Sequence, residues 1–139
     1  MRRLATTWLL MALSILAPLC GNGQEDAVAL TAKDVREMAA AGTNFRGAVL
    51  SGMDLAALRV TGLDLAGTNW SKADLRGAVF SEARLSGSSL DEVVARGATF
   101  ADCNLMNATL RNGDFSGATF QRVQLAGADF EGSRLAGAE

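Results

Sequence analysis

The sequence predicts an all-β solenoid that begins at Thr43 and occupies most of the chain. Three observations support this prediction. Residues 43–137 can be written in nineteen steps of five without a residue lost or gained, the third residue of each step is apolar, and all six phenylalanines occupy that third position. A period of five matches neither the helical period of 3.6 residues nor the two-residue period of a flat strand. It matches a coil that turns a corner every five residues and points the same position inward each time.

The predicted core consists of the central residue of each step. The central residues are Phe45, Leu50, Leu55, Val60, Leu65, Trp70, Leu75, Phe80, Leu85, Leu90, Ala95, Phe100, Leu105, Leu110, Phe115, Phe120, Leu125, Phe130 and Leu135. A small or modest residue, most often alanine, stands two before the centre. Asp or Asn is frequent just before the centre, and glycine is frequent two after it.

The residue pattern of individual steps resembles that of a known family. Residues 73–77 read A-D-L-R-G and residues 128–132 read A-D-F-E-G. This tandem A-(D/N)-(L/F)-x-x pattern resembles the pentapeptide-repeat proteins over 95 of the 139 residues. The resemblance implies a right-handed quadrilateral β-helix with four repeats per coil, in which the centre and the residue two before it face inward. At twenty residues per coil, the 95 residues would form about 4.75 coils.

Four repeats per coil place residues twenty apart above one another, and this predicts two core ladders. The aromatic ladder consists of Phe80, Phe100 and Phe120. Its accompanying small positions are Ala78, Ala98 and Ala118. The aliphatic ladder consists of Leu65, Leu85, Leu105 and Leu125. A large residue beside a small one keeps the filled volume constant from coil to coil. In a third column we expect Gly113 to give the ring of Phe115 room.

Residues 1–23 have the pattern of a secretory signal peptide. Two arginines precede a sixteen-residue apolar run over residues 4–19. The run is too short for a membrane span, which needs about 20 residues, so we expect no transmembrane span in the mature chain. Cleavage before Gln24 would deliver an exported, periplasmic protein. The alternative is a membrane-attached lipoprotein acylated at Cys20, although Leu19 stands where that class has a small residue.

Between the signal and the repeats we expect two short segments. Residues 24–30 are a flexible lead-in, and residues 31–42 are an N-terminal capping α-helix. Thr31 and Asp34 have the spacing of a capping box, and Gly42 suits the left-handed position that follows a helix. A helix of about ten residues does not persist alone, so we expect it to pack on the first turn of the solenoid. The solenoid itself is predicted to comprise residues 43–139.

The composition argues against an enzyme. There is no histidine, the commonest general base, and no nucleophile–base constellation, metal-ligand cluster or phosphate-binding glycine loop. We therefore expect no catalytic residue, no cofactor and no metal. The net charge of −2 argues against direct nucleic-acid binding. Cys103 stands at an inward position, and loss of Cys20 with the signal would leave no intrachain disulfide.

One column of outward residues admits two interpretations. Asp54, Asp74 and Asp114 are spaced by multiples of twenty, with Val94 between the last two. Stacked carboxylates could bind a cation or a basic partner. Alternatively, these aspartates are consensus residues that accept hydrogen bonds from the nearby backbone at the bends.

The predicted function is that of an exported, non-catalytic structural or protein-interaction module with an unknown protein partner. Residues 136–139 follow Leu135, the last centre, without a capping element, so we expect Phe130 and Leu135 to form an end that pairs with a second copy in an end-to-end homodimer. The alternative is a DNA-mimicking binder of a type II topoisomerase, as some pentapeptide-repeat proteins are. Apparent export, an unbroken repeat phase without loops, and 11 acidic against 9 basic residues over 43–139 count against it.

Overall fold

The computed structural model describes residues 30–139, which form one helix followed by a parallel β-solenoid. Helix α1 is Ala32–Ala40, and the strands are β1 Arg59–Thr61, β2 Val79–Ser81, β3 Thr99–Ala101 and β4 Thr119–Gln121. The proposed signal peptide, the site Cys20 and the lead-in up to residue 29 lie outside the described residues. Among residues 30–139, no helix is long and apolar enough to cross a membrane.

The register of the sheet has a repeat of twenty residues. The strands are hydrogen-bonded in the order β1-β2-β3-β4, and each pairs in parallel with the next. Val60 pairs with Phe80, Phe80 with Phe100, and Phe100 with Phe120. Isolated bridges on the other sides of the coil have the same spacing, as between Val49 and Asn69. Each coil therefore contains four of the five-residue steps, as the predicted β-solenoid requires.

Each corner of the coil needs a left-handed residue two positions after the centre. Gly77 and Gly97 adopt φ of 64° there. Glycine takes this conformation without the penalty that a Cβ brings, which explains why it recurs at this position. Some corners carry other residues in the same conformation, among them Glu92 at φ 58° and Asn112 at φ 54°.

The core is a single cluster of apolar side chains that runs along the solenoid axis. Its largest fully buried members include Trp70, Phe80 and Phe100. The indole of Trp70 donates to the Thr68 hydroxyl at 2.6 Å, and that hydroxyl donates to the Leu65 carbonyl at 2.6 Å. The polar atoms of this layer are thus paired, which avoids the cost of burying an unsatisfied donor.

Helix α1 covers one end of this core. Thr31 caps it, and the reciprocal hydrogen bonds between Thr31 and Asp34 form a capping box. The helix ends at Ala40, slightly short of the predicted segment 31–42, and Gly42 has φ 75°. Val35 and Met38 are buried in the same cluster as the first coil. This packing stabilises a helix that is too short to be stable by itself.

Candidate interaction surface

The aromatic ladder residues lie face to face along the axis. The ring centroids of Phe80 and Phe100 are 5.1 Å apart with planes 4° apart. Phe100 and Phe120 are 5.2 Å apart with planes 6° apart. Phe80 and Phe100 are fully buried, whereas Phe120 is partly exposed. The three rings therefore form one parallel stack, and its last member, Phe120, is less buried than the other two.

The aliphatic ladder departs from the expectation at its last member. Leu65, Leu85 and Leu105 are fully buried, but Leu125 is 38% exposed. The assignment of Leu125 to the buried core is therefore wrong. Its column position is that of a core residue, but no coil among residues 30–139 lies over it.

Leu125 belongs to an apolar surface that we call the end face. The end face consists of Phe120, Leu125, Phe130, Leu135 and Ala138. These side chains, together with Glu139, line an open cleft of about 300 Å³. The ring of Phe130 contacts that of Phe120 edge to face, with centroids 5.9 Å apart and planes at 84°. Leu135 is 44% exposed. The structure thus brings together Phe130 and Leu135, the two residues expected to form a pairing end.

The end face also presents unpaired backbone donors. One coil earlier, the Leu105 N–H donates to the Gln124 carbonyl at 2.8 Å. The corresponding N–H of Leu125 has no acceptor among residues 30–139, and neither has that of Leu135. A row of unpaired amides beside exposed apolar side chains is the edge on which another strand can pair.

The outward aspartates hydrogen-bond to their own corners. A carboxylate oxygen of Asp54 accepts from the N–H of Ala56 at 3.2 Å, and Asp74 accepts from the N–H of Arg76 at 3.1 Å. Asp114 accepts likewise from Ser116, at 3.2 Å. Residues 30–139 contain no cluster of three or more groups suited to a metal ion. The hydrogen bonds therefore support the consensus interpretation of this column over a cation site.

Arginines pair with two of these carboxylates. The Arg76 guanidinium lies 2.6 Å from Asp74, and its hydrogen bond lowers the pKa of that carboxyl. The hydrogen bond from the Ser116 side chain, followed by that from Arg96, lowers the pKa of Asp114 to about 2. Both aspartates remain ionised at neutral pH while their charge is compensated.

Sequence reasoning missed two polar pairings, and the coil length would have revealed only the first. Arg122 donates twice to Asp102, at 2.6 and 2.7 Å, and the two residues are twenty apart. Arg36 of α1 donates to the carbonyls of Asp54 and Ala56 at 3.2 and 3.1 Å. The first pair follows from searching for opposite charges at a spacing of twenty. The second depends on where the helix packs.

Cys103 is buried in the core. Only 1% of it is exposed, and its thiol donates to the Phe80 carbonyl at 3.3 Å. Burial raises the pKa of the thiol. A protonated, enclosed thiol is a poor nucleophile, so Cys103 acts as packing.

These observations define a class: a parallel solenoid that is built of five-residue steps, four to a coil. The model of the pentapeptide repeat region matches residues 63–139, and the chain belongs to the pentapeptide-repeat family. Its predicted membership is thereby confirmed. Among the curated proteins, none matches the chain in sequence.

The solved structures that the chain resembles include other pentapeptide repeat proteins. A pentapeptide repeat protein from the Arabidopsis thaliana thylakoid lumen is 33% identical, with a TM-score of 0.55 over 70% of this chain and 65% of that protein. The chain thus spans slightly less than two thirds of that protein's length. A pentapeptide repeat protein from Nostoc PCC 7120 is 25% identical over 76% of this chain and 95% of its own, with a TM-score of 0.34. QnrB1, a plasmid-mediated fluoroquinolone resistance protein, is 23% identical over 70% of this chain and 62% of its own, with a TM-score of 0.38.

Proposed function

We propose that this protein is an exported, non-catalytic interaction module that pairs end to end with a second copy and presents its coils to a protein partner. The observation that supports pairing is the contrast within one column. Leu55 and Leu75 are fully buried, whereas Leu135 is 44% exposed. Exposed apolar patches of this kind commonly mark a contact with another protein.

A second copy fits the end face on two grounds. The surface offers apolar side chains, and a matching surface would remove both from water. It also offers the backbone amides of Leu125 and Leu135, which have no partner within residues 30–139. An identical edge brought against it supplies acceptors. A two-fold arrangement lets one patch serve both partners and closes the assembly at two copies.

The proposed architecture is a right-handed quadrilateral β-helix of about 4.75 coils over residues 43–139, capped by the helix segment 31–42. Its handedness is the one that the family resemblance implies. The hydrogen bonds from Arg36 to the carbonyls of Asp54 and Ala56 support the capping role. In the interior, carbonyls at these positions accept from the backbone of the preceding coil, as Asp74 does from Leu55 at 2.8 Å. The guanidinium therefore supplies donors where a preceding coil would.

Export is supported by the apolar segment within residues 1–23 and by the similar pentapeptide repeat protein from the Arabidopsis thaliana thylakoid lumen. We place the mature protein in the periplasm, with cleavage before Gln24. A lipoprotein anchored through Cys20 is the alternative. Mass spectrometry of the N-terminus separates them, because a diacylglyceryl group on Cys20 would contradict a free periplasmic protein.

The topoisomerase alternative has less support from the charges of the surface. A protein that imitates DNA presents uncompensated carboxylates at regular spacing. Here the carboxylates of Asp74, Asp102 and Asp114 each pair with an arginine at 2.6 Å. Fractionation decides between the two functions, because retention in the cytoplasm would favour the alternative and contradict export.

Sedimentation of the purified chain tests the pairing. We expect a dimer at micromolar concentration, a monomer for Leu135→Asp, and an unchanged dimer for Val49→Asp. Val49 is a matched control because its side chain is 61% exposed but belongs to the first coil. A wild-type monomer at every concentration, or a dimer that Val49→Asp also disrupts, would contradict pairing through the end face.

A further inference from the structure

The sequence contains an Asn–Gly pair at a corner that the last coil holds in place. Asn112 adopts φ 54° and is exposed. Its successor Gly113 is buried, and a Cβ at that position would lie 2.5 Å from Cε2 of Phe115. The glycine is therefore required by packing, and the pair cannot be changed to Asn–Ala without displacing the Phe115 ring. An asparagine followed by glycine is chemically the weakest kind of asparagine, because no side chain shields the following backbone nitrogen.

The amide of Gly113 has an unusual partner. At the preceding corner, the N–H of Ala108 donates to the Leu105 carbonyl at 3.1 Å within its own turn. Gly113 instead donates to the hydroxyl of Ser133, at 3.2 Å, and that hydroxyl donates to the Leu110 carbonyl. The nitrogen that would attack Asn112 is thus restrained by a side chain of the next coil.

Asn112 itself is restrained by the same segment. Its N–H donates to the Glu131 carbonyl at 2.9 Å, and its Oδ1 lies so close to Gly132 that a Cβ there would collide with it. Three consecutive residues, Glu131 to Ser133, therefore hold both halves of the pair. They belong to the coil with the exposed end face, where opening requires the least free energy because few apolar contacts are broken.

We propose that Asn112–Gly113 is a site of spontaneous deamidation that becomes reactive when residues 131–133 detach. The Gly113 nitrogen attacks Cγ of Asn112, forming an N–Cγ bond. The Cγ–Nδ2 bond breaks, and the leaving amide group takes the proton lost from Gly113 and departs as ammonia. Water then adds to one carbonyl of the resulting imide, giving aspartate or isoaspartate. Isoaspartate lengthens the backbone within a coil whose steps are fixed at five residues, so the last coil cannot close again as before.

Asn107 provides an internal reference in the same chain. It has φ 57°, is exposed, donates to the Ala126 carbonyl at 2.9 Å, and places its Oδ1 against Gly127. Its environment therefore matches that of Asn112, but its successor is Ala108. Any difference in the deamidation rates of the two asparagines is then due to the residue that follows each of them and to the Ser133 hydrogen bond, and not to exposure.

Peptide mapping of the full chain, incubated in mildly alkaline buffer below the concentration at which it pairs, tests this proposal. We expect conversion at Asn112 and little at Asn107. Phe130→Ala and Ser133→Ala should each accelerate conversion at Asn112, about tenfold for every 1.4 kcal/mol lost from the opening free energy. Asn112→Gly should abolish the signal and still fold, because glycine suits this corner.

If a variant fails to fold, the conversion rates of Asn112 in native and in denatured wild-type protein are compared instead. In denaturant, Asn112 should convert faster than in the native chain. Equal rates in native and denatured protein would overturn the proposal, since the last coil would then offer no protection. Equal rates at Asn112 and Asn107, or a rate at Asn112 that neither Ser133→Ala nor mild denaturant changes, would overturn it as well.

Discussion

At one end of the solenoid the first coil lies beneath helix α1, and at the other the coil of residues 120–139 has no described element over it. Leu55 and Leu135 occupy the same column, yet the first is fully buried and the second is 44% exposed. The carbonyls of Asp54 and Ala56 accept from Arg36, whereas the amides of Leu125 and Leu135 have no described partner. Helix α1 thus brings an apolar contact and a hydrogen-bonding group to its end of the solenoid.

The largest expected difference between the ends concerns the aromatic stack. Phe100→Ala should lower the free energy of unfolding by about 3–5 kcal/mol, because it opens a cavity in a fully buried column. Phe130→Ala should cost about 1–2 kcal/mol, since the partly exposed ring buries less area. Urea titration measures both, with the fluorescence of Trp70 as a probe, since its ring lies 5.7 Å from that of Phe80. Equal costs would show that the last coil is as well covered as the interior.

The next effect tests whether Arg36 covers the first coil. Arg36→Ala should cost about 1–2 kcal/mol, because the carbonyls of Asp54 and Ala56 lose a charged donor at an exposed edge. Arg36→Lys is the control, because it keeps the positive charge but replaces the planar, two-branched guanidinium by a single ammonium group. It should therefore recover only part of the lost stability. Hydrogen exchange should show faster opening of residues 50–57 in Arg36→Ala. If neither stability nor exchange changes, apolar contact alone covers this end.

A smaller effect compares corners in one column. Gly97 and Gly137 have φ of 64° and 68°, and a Cβ would meet nothing closer than 4.0 Å at either. Gly97→Ala should cost about 1 kcal/mol for the left-handed conformation alone. Gly137→Ala should lower the free energy of unfolding by less than half of that amount. The coil of residues 120–139 opens readily, and opening relieves the strain of the left-handed alanine. Thermal unfolding of the two variants measures the difference, and equal losses would argue that the last coil is as firmly held as the interior.

The steps of five allowed the fold to be predicted from the sequence, because the same position must face inward each time and Phe80, Phe100 and Phe120 recur at a fixed spacing. The end face was predicted only in part. The sequence predicts Phe130 and Leu135 there. It also predicts that Leu125 is buried, because membership of a column does not indicate whether another coil lies above. Arg36 was not predicted at all, since its partners are backbone carbonyls that carry no residue-specific signal. Periodicity thus determines the interior, and three-dimensional packing determines the ends.

The smallest effect is the response of the two ends to acid. The chain contains no histidine, so its stability should be constant between about pH 5 and 8. The hydrogen bonds from Thr31 lower the pKa of Asp34 in the capping box, and the Glu131 N–H, with Arg111, lowers that of Asp129. A carboxyl whose pKa is lowered on folding stabilises the protein above its unfolded pKa of about 3.9 and loses that effect as the pH falls through the folded value. Stability should therefore decline below about pH 4. Far-UV circular dichroism measures this decline for wild type and for Asp34→Asn, which lacks the capping carboxylate at every pH. The difference between the two gives the contribution of the helix, and the remaining decline gives that of the coils. If Asp34→Asn shows the same acid response as wild type, the decline belongs to the coils, and the covered end owes nothing to its capping box.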